Sequence, residues 1–296
     1  MMILSITNLT KNYGRIQALK NVSFDVPKGS VFGILGPNGS GKTTLLGTIM
    51  DILKPTSGTY KLFGEESNGY HRRQIGTLLE TPNFYHYLSA VQNLEIAAAI
   101  KGHGLRDIPR VLDMVNLTQR KDSKFNTYSL GMKQRLAIAS CLLGDPEVLV
   151  FDEPTNGLDP VGIAEIRELI KKLHHEGKTI IMASHLLDEV EKVCTDVAIL
   201  KKGHLVVTGN VNEILANEDI VEIGASDMIT LHRIVVDMAD HTSIKEIGNI
   251  LQLNYPIGKA DMAIINQHCF NKGITLNHLL MRKKSLEAKF FELTNN

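Results

Sequence analysis

The stretch that decides the fold reads Gly36-Pro37-Asn38-Gly39-Ser40-Gly41-Lys42-Thr43-Thr44. It matches the pattern GxxxxGK[ST] and follows the apolar run 31–35, which predicts a buried parallel strand. The glycines let backbone N–H groups curl around phosphate oxygens, and the helix that begins here adds its positive dipole end. Lys42 supplies a mobile positive charge, and the Thr43 hydroxyl is a ligand for Mg²⁺. The stretch therefore predicts nucleoside triphosphate binding.

A second apolar run, 148–151, ends in two carboxylates, Asp152 and Glu153. At the carboxyl edge of a parallel sheet they would face the same crevice as the phosphate loop. We expect Asp152 to hold Mg²⁺ through a water molecule. We expect Glu153 to accept a proton from, or orient, the water that attacks the γ-phosphate. Alternation along a strand predicts that the two side chains point to opposite sides.

Strands and helices alternate along the first two thirds of the chain. A third apolar strand is expected at 179–183, and helical patterns cover 133–143 and 163–175. This order predicts an α/β domain with a largely parallel sheet. Less patterned sequence follows the segment 203–210, so we expect a nucleotide-binding domain over 1–209 and a small accessory domain over 210–296.

Composition narrows the possible partners and locations. The chain has 32 basic and 32 acidic residues, and this neutral balance argues against a nucleic-acid partner. No apolar run approaches the roughly 18 residues of a membrane span, and the first residues do not form a signal peptide. Three widely spaced cysteines fit a reducing compartment. We therefore expect a cytoplasmic protein.

One segment distinguishes between the classes of phosphate-loop protein, which include small-molecule kinases. It reads Tyr128-Ser129-Leu130-Gly131-Met132-Lys133-Gln134-Arg135-Leu136-Ala137. Ser129 is a good N-cap, and Gly131 allows close approach to the first helical turn. Together they predict a second anion-binding helix start. The segment resembles the signature motif of the ATP-binding cassette (ABC) family, which reads Leu-Ser-Gly-Gly-Gln.

The resemblance covers residues 1–209 with the family's order and spacing. Tyr13 resembles the aromatic residue that stacks on adenine. The run Gly157-Leu158-Asp159 is similar to the D-loop, and His185 to the switch histidine that contacts the γ-phosphate. The resemblance implies a P-loop NTPase fold of the ABC type with a helical subdomain.

The resemblance also implies an ATPase that uses ATP and Mg²⁺ and works as a dimer, most simply a homodimer. Ser129 and Gly131 of one copy would reach the γ-phosphate held by Lys42 of the other. The dimer would dock on a separately encoded integral membrane permease. The chain is then expected to be peripheral on the inner face of the cell membrane.

Two positions depart from the family pattern. Leu130 and Met132 replace a glycine and the glutamine of the signature, so the γ-phosphate contact is expected to be altered. Glu80 stands where the Q-loop glutamine contacts Mg²⁺ and the attacking water. A glutamate at this position is characteristic of the ATP-binding subunits of bacitracin and lantibiotic-immunity exporters. The signature string and the closing segment 285–294 also resemble those subunits. The resemblance implies export of an antimicrobial peptide, and hence antibiotic resistance. We expect the segment 80–88, which contains Phe84, Tyr85 and Tyr87, to be the docking surface.

The sequence also allows two other functions. One is a soluble ABC ATPase that acts on a ribosome or nucleic acid, although the single phosphate loop and neutral charge count against it. The other is a nucleotide-gated regulator with little hydrolysis. Glu153 and His185 count against the regulator, whereas Glu80 leaves it possible.

Overall fold

The computed structural model describes residues 1–79, 83–215, 219–238 and 241–283, together with Leu286 and Phe290. The chain divides into two compact units, Met1–Gly209 and Asn210–Asn296. Each unit has its own core of buried apolar side chains. No helix in the described ranges combines the length and the apolar character needed to cross a bilayer.

The strands of the first unit are β1 (Met2–Tyr13), β2 (Ile16–Pro27), β3 (Val31–Leu35), β4 (Ser57–Leu62), β5 (Glu65–Glu66), β6 (Ile75–Leu78), β7 (Val148–Asp152), β8 (Thr179–Ser184), β9 (Asp196–Lys201) and β10 (His204–Asn210). Among the described residues they form a four-stranded sheet in the order β2-β1-β4-β5 and a six-stranded sheet in the order β10-β9-β3-β8-β7-β6. The first sheet is antiparallel. In the second, β3 pairs in parallel with β8 and β9, and β7 pairs in parallel with β6 and β8.

The helices of the first unit are α1 (Lys42–Ile49), α2 (Gly69–Arg73), α3 (Ala90–Lys101), α4 (Ile108–Met114), α5 (Leu130–Cys141), α6 (Pro160–His175) and α7 (Leu187–Val193). Short 3₁₀ turns cover Leu105–Asp107, Thr118–Arg120 and Phe125–Thr127. The helical patterns predicted for 133–143 and 163–175 correspond to α5 and α6. Both helices begin three residues earlier than the apolar pattern, because a polar N-cap rather than an apolar residue sets a helix start.

The parallel sheet confirms the predicted α/β fold with a phosphate loop. Every residue of β3, β7 and β8 is buried, which explains why each strand reads as an unbroken apolar run. The three strands are neighbours in the order β3-β8-β7. Their carboxyl ends therefore lie side by side, and the phosphate loop, Glu153 and His185 follow directly from them.

The second unit contains strands β11 (Asp219–Ala225), β12 (Ser243–Ile247), β13 (Ile250–Tyr255) and β14 (Leu276–Lys283), and helices α8 (Val211–Leu215), α9 (Met228–Val236) and α10 (Met262–Asn271). Its described strands form one antiparallel sheet in the order β12-β13-β11-β14. With α9 and α10 between the strands, this is the β-α-β-β-α-β order of ferredoxin-like domains. Alternate residues of β11 and β13 pack in the core with both helices.

Candidate functional site

The loop between β3 and α1 turns tightly because its three glycines adopt positive φ, and two of them are also in close contact with backbone carbonyls. Gly36 has φ 154° and Gly41 has φ 109°. A Cβ atom on Gly36 would lie 2.3 Å from the carbonyl oxygen of Leu200, and one on Gly41 would lie 2.7 Å from that of Ala18. Only glycine fits at both positions. The loop thus enters the N-terminus of α1, where backbone N–H groups and the helix dipole favour a phosphate.

Lys42, the first residue of α1, is held beneath this loop. Only 6% of the residue is exposed. Its Nζ atom donates to the carbonyl oxygen of Gly36 at 2.8 Å and lies 3.3 Å from Oε1 of Glu153. The buried ammonium is therefore compensated by a carbonyl dipole and one carboxylate, as a buried charge requires.

Glu153 lies immediately beyond the end of β7. Its backbone N–H donates to the carbonyl of Ala183 in β8 at 3.0 Å. Its Oε2 atom is 2.9 Å from Nδ1 of His185, the residue that follows β8. The glutamate thus contacts Lys42 with one oxygen and His185 with the other, and polar side-chain contacts link the ends of three adjacent strands.

The predicted alternation of Asp152 and Glu153 is wrong in its reasoning. Asp152 is the last residue of β7, whereas Glu153 is outside the strand and has φ 50°. Its side chain is directed by a left-handed turn and not by the pleat of a strand. Such a conformation is uncommon for glutamate and is typical of functional sites.

A cleft of about 340 Å³ opens beside these groups. Its volume falls within the range of about 300–1,000 Å³ for small-molecule sites. The lining residues are Ala18, Asn38, Gly39, Gly41, Lys42, Thr43, Thr44 and Glu153. The structure therefore brings most of the predicted phosphate loop and one catalytic candidate onto a single wall.

The residues predicted to hold Mg²⁺ have the appropriate donor chemistry. Thr43 is exposed on the cleft wall, and Asp152 adjoins Glu153 with 8% of its surface exposed. A hydroxyl and a carboxylate are hard oxygen ligands, and Mg²⁺ fills its other positions with water and phosphate oxygens. Thr43 and Asp152 therefore fit the ion. Glu80, the third predicted ligand and a catalytic candidate, lies outside the described residues.

Tyr13 is the last residue of β1 and is 44% exposed. The Nζ atom of Lys11 lies 5.1 Å from the centroid of its ring. Tyr13 is not among the residues that line the cleft. Its stacking on adenine stays a prediction.

Ser129 and Leu130 of the signature segment are exposed. The Oγ atom of Ser129 accepts a hydrogen bond from the N–H of Met132 at 3.2 Å, which confirms the predicted N-cap. A Cβ atom on Gly131 would meet no other atom within 4 Å. Neither residue lines the cleft of its own chain.

Asp159 caps α6. Its Oδ1 atom accepts a hydrogen bond from the N–H of Gly162 at 2.9 Å. Pro160 occupies the first position of the helix, which suits proline because that N–H has no partner within the helix. Asp159 therefore has a structural role in the chain, and its role at a nucleotide stays a prediction.

Ser40 was predicted as part of the phosphate loop, whereas Ala18 was not predicted to line the site. The Oγ atom of Ser40 is buried without a hydrogen-bond partner in the part of the chain that the structure describes, and a phosphate oxygen would satisfy it. Ala18 lines the cleft, although β2 lies well before the loop in sequence. The GxxxxGK[ST] pattern had already included Ser40. An alanine carries no signal at all.

The chain is similar in sequence to known proteins. The ABC transporter family model matches residues 19–156. The bacitracin transport ATP-binding protein of Enterococcus faecalis is 35% identical, over 98% of this chain and 96% of its own. The lantibiotic transport ATP-binding protein of Streptococcus pyogenes is 37% identical, over 74% of this chain and 99% of its own.

Two solved structures resemble the fold. A subunit of an ABC transporter complex from Clostridium perfringens has a TM-score of 0.66 at 32% identity, covering 73% of this chain and 91% of its own. An ATP-binding cassette in a dimeric, post-hydrolysis state bound to ADP and phosphate has a TM-score of 0.63 at 30% identity, covering 70% and 98%.

Proposed function

Since the chain belongs to the ABC transporter family of ATP-binding proteins, we propose that its cleft binds ATP with Mg²⁺ and that Glu153 promotes hydrolysis to ADP and phosphate. One observation carries the proposal. Glu153 contacts Lys42 with one carboxylate oxygen and His185 with the other, at the wall of the cleft. Phosphoryl transfer to water needs a cation at the phosphates and a group that positions or deprotonates the water, and Lys42 and Glu153 are of these types.

Binding of ATP changes the partner of Lys42. In this structure the Lys42 ammonium is shared by the Gly36 carbonyl and Glu153. The terminal phosphates carry more negative charge than one carboxylate, so they attract Lys42 more strongly. The Oε1 atom of Glu153 is then available to accept a proton from the attacking water. His185 keeps the other oxygen oriented through Nδ1.

Mg²⁺ neutralises charge on the β- and γ-phosphates when it is bound. Thr43 and Asp152 are the residues that would hold it, and we assign Glu80 to the same ion. Ser40 would donate its buried hydroxyl to a phosphate oxygen. These residues bind and orient the nucleotide.

A second copy of the chain completes the site in this proposal. Ser129 and Gly131 face open surface at the start of α5 and do not line their own cleft. A helix N-terminus with a hydroxyl suits the γ-phosphate of ATP held by a partner. Tyr13 would stack on adenine, and Asp159 would lie near the dimer interface.

The dimer drives a membrane permease in this proposal, as in the relatives named for bacitracin and lantibiotic transport. We assign the same class of cargo, a peptide antibiotic, and a location on the inner face of the cell membrane. The docking surface would include Tyr85 and Tyr87, which are 49% and 66% exposed. Phe84 packs instead on Phe125, with ring centroids 5.2 Å apart.

The test is purification of the full-length tagged chain from detergent-solubilised membranes. We expect a multi-span membrane protein to co-purify and the complex to release phosphate from ATP. Glu153→Gln should abolish that release without preventing ATP binding. Phosphate release by Glu80→Gln tests whether Glu80 holds Mg²⁺. A wild-type complex that binds ATP without turnover would favour the regulator. Co-purification with ribosomes instead would favour the ribosome-associated ATPase.

A further inference from the structure

Leu130 replaces the signature glycine and lies in an unexpected place. It is the first residue of α5, and 52% of it is exposed, although it is a large apolar side chain. A methyl group on Gly157 would lie 3.4 Å from the Cδ2 atom of Leu130. The leucine side chain therefore lies beside Gly157, in the turn that follows Glu153.

That turn leads directly back to Glu153. Gly157 has φ 74°, a conformation that glycine adopts readily. The N–H of Asn156, its neighbour, donates to the carbonyl of Glu153 at 3.1 Å. The N–H of Leu158 donates to the carbonyl of Thr155 at 3.3 Å. Two overlapping turns therefore connect Gly157, which lies within the second, to Glu153, which begins the first.

We propose that Leu130 is a positioning residue for hydrolysis, because its packing on Gly157 fixes the turn that holds Glu153 in the same chain. Glycine at this position would leave Gly157 without a side chain against it. The inference rests on the proposed function, since it takes Glu153 as the base. It assigns to Leu130 an effect within its own chain, in addition to any contact that Ser129 and Gly131 make with a partner's ATP.

The first test compares Leu130→Ala with Leu130→Met in the purified transport complex. Loss of the contact loosens the base, so we expect kcat to fall by about fivefold while KM for ATP changes little, because small misplacements cost rate before binding. Leu130→Met should restore kcat. Ile100→Ala, which truncates an exposed aliphatic side chain on α3, is the matched control. An unchanged kcat, or a change in KM alone, would overturn the inference.

The second test separates the two chains of a dimer with different tags. The reference dimer carries Glu153→Gln in one chain, so that only the other chain has a base. Adding Leu130→Ala to the chain with the intact base should lower the single-turnover rate by about fivefold. Adding it to the chain with Glu153→Gln should lower the rate by a smaller factor. An equal or larger loss in this second arrangement would show that Leu130 acts mainly across the interface and would overturn the inference.

The two proposals fail in different ways. Absence of turnover in the wild-type complex contradicts the proposed function itself. Normal wild-type turnover with no effect of Leu130→Ala contradicts only the role of Leu130. If the reference dimer has no measurable rate, the steady-state comparison decides. Equal melting temperatures of the Leu130→Ala and Ile100→Ala proteins would exclude a loss of folding as the cause.

Discussion

Each unit of the molecule contains a glutamate placed between a cation and a histidine. In the first unit Glu153 is 3.3 Å from Lys42 and 2.9 Å from His185. In the second unit Glu222 has a similar set of neighbours but lies within a strand. The two clusters share their chemical groups and differ in their backbone setting. A difference in reactivity between them therefore comes from the backbone setting.

Glu222 lies in the middle of β11, and all its partners come from neighbouring strands. Gln252 of β13 donates to Oε1 at 2.9 Å, and Arg282 of β14 lies 3.0 Å from Oε2. His278, also on β14, lies 3.4 Å from the same oxygen. Burial raises the pKa of Glu222, but the hydrogen bonds from Gln252 and His278 and the charge of Arg282 outweigh it, and the pKa is held below its usual value.

Position on the backbone decides the role of each glutamate. Glu222 is enclosed by cross-strand partners, which is the usual way in which a sheet stabilises a charge. Glu153 follows the end of a strand with positive φ, beside a cleft. Its partners also come from the ends of other elements. One cluster therefore holds three strands together, and the other is available to a ligand.

The largest expected effect concerns the two cations. Lys42→Met should lower ATP hydrolysis by at least about a hundredfold, since it removes a preorganised charge from the transition state. Arg282→Met should leave hydrolysis at the wild-type rate. Phosphate release by the purified complex at saturating ATP measures both. A large loss of rate in Arg282→Met would mean that the second cluster is not merely structural.

The histidines should differ in the same direction by a smaller factor. His185→Ala releases Oε2 of Glu153 and should lower kcat by roughly tenfold to a hundredfold, below the full contribution of a catalytic base. His278→Ala should not change kcat. The pair is measured in one steady-state assay with the folded fraction of each protein checked by circular dichroism. Equal losses would contradict the distinction between the clusters.

Glu222→Ala should affect stability and spare catalysis. The truncation removes an acceptor shared by Gln252, His278 and Arg282, which should lower the free energy of unfolding by about 1–3 kcal/mol. Glu246→Ala on β12 removes an exposed glutamate and serves as the control. Urea unfolding of the full chain provides the measurement. A Glu222→Ala protein as stable as the control would show that the cluster contributes no net stability.

The smallest effect is a pH dependence. The pKa of Glu222 in the folded protein is below its usual value of 4.5, so its charge contributes stability above that pH. The contribution is lost as the pH falls through the folded pKa. Glu222→Gln should therefore lose less stability than wild type between about pH 6 and about pH 3.5, as seen in urea midpoints. Parallel curves for the two proteins would contradict the assignment.

The parallel sheet was predictable because strands buried on both faces are written as unbroken apolar runs. The runs 31–35 and 148–151 each mark such a strand and the polar group at its end. The phosphate loop was predictable for a related reason. Its glycines meet steric demands that no other residue satisfies at Gly36 and Gly41.

The geometry around Glu153 was not predictable. A glutamate gives no sign of positive φ, which asparagine or glycine adopts more readily. Its contacts with Lys42 and His185 depend on the order of strands in the sheet and not on sequence separation. Glu222 was missed because a charged residue within an apolar strand predicts exposure, whereas its burial depends on Gln252, a partner on another strand.

The order of strands also has a consequence for biosynthesis. β3 emerges early, but both its neighbours, β8 and β9, begin only at Thr179 and Asp196. At about 5–20 residues per second the ribosome needs roughly 7–30 s to reach β8 after completing β3. For that time an apolar strand has no sheet to join, which is when nascent chains aggregate or recruit chaperones. The cluster of Lys42, Glu153 and His185 is complete only once His185 has been made.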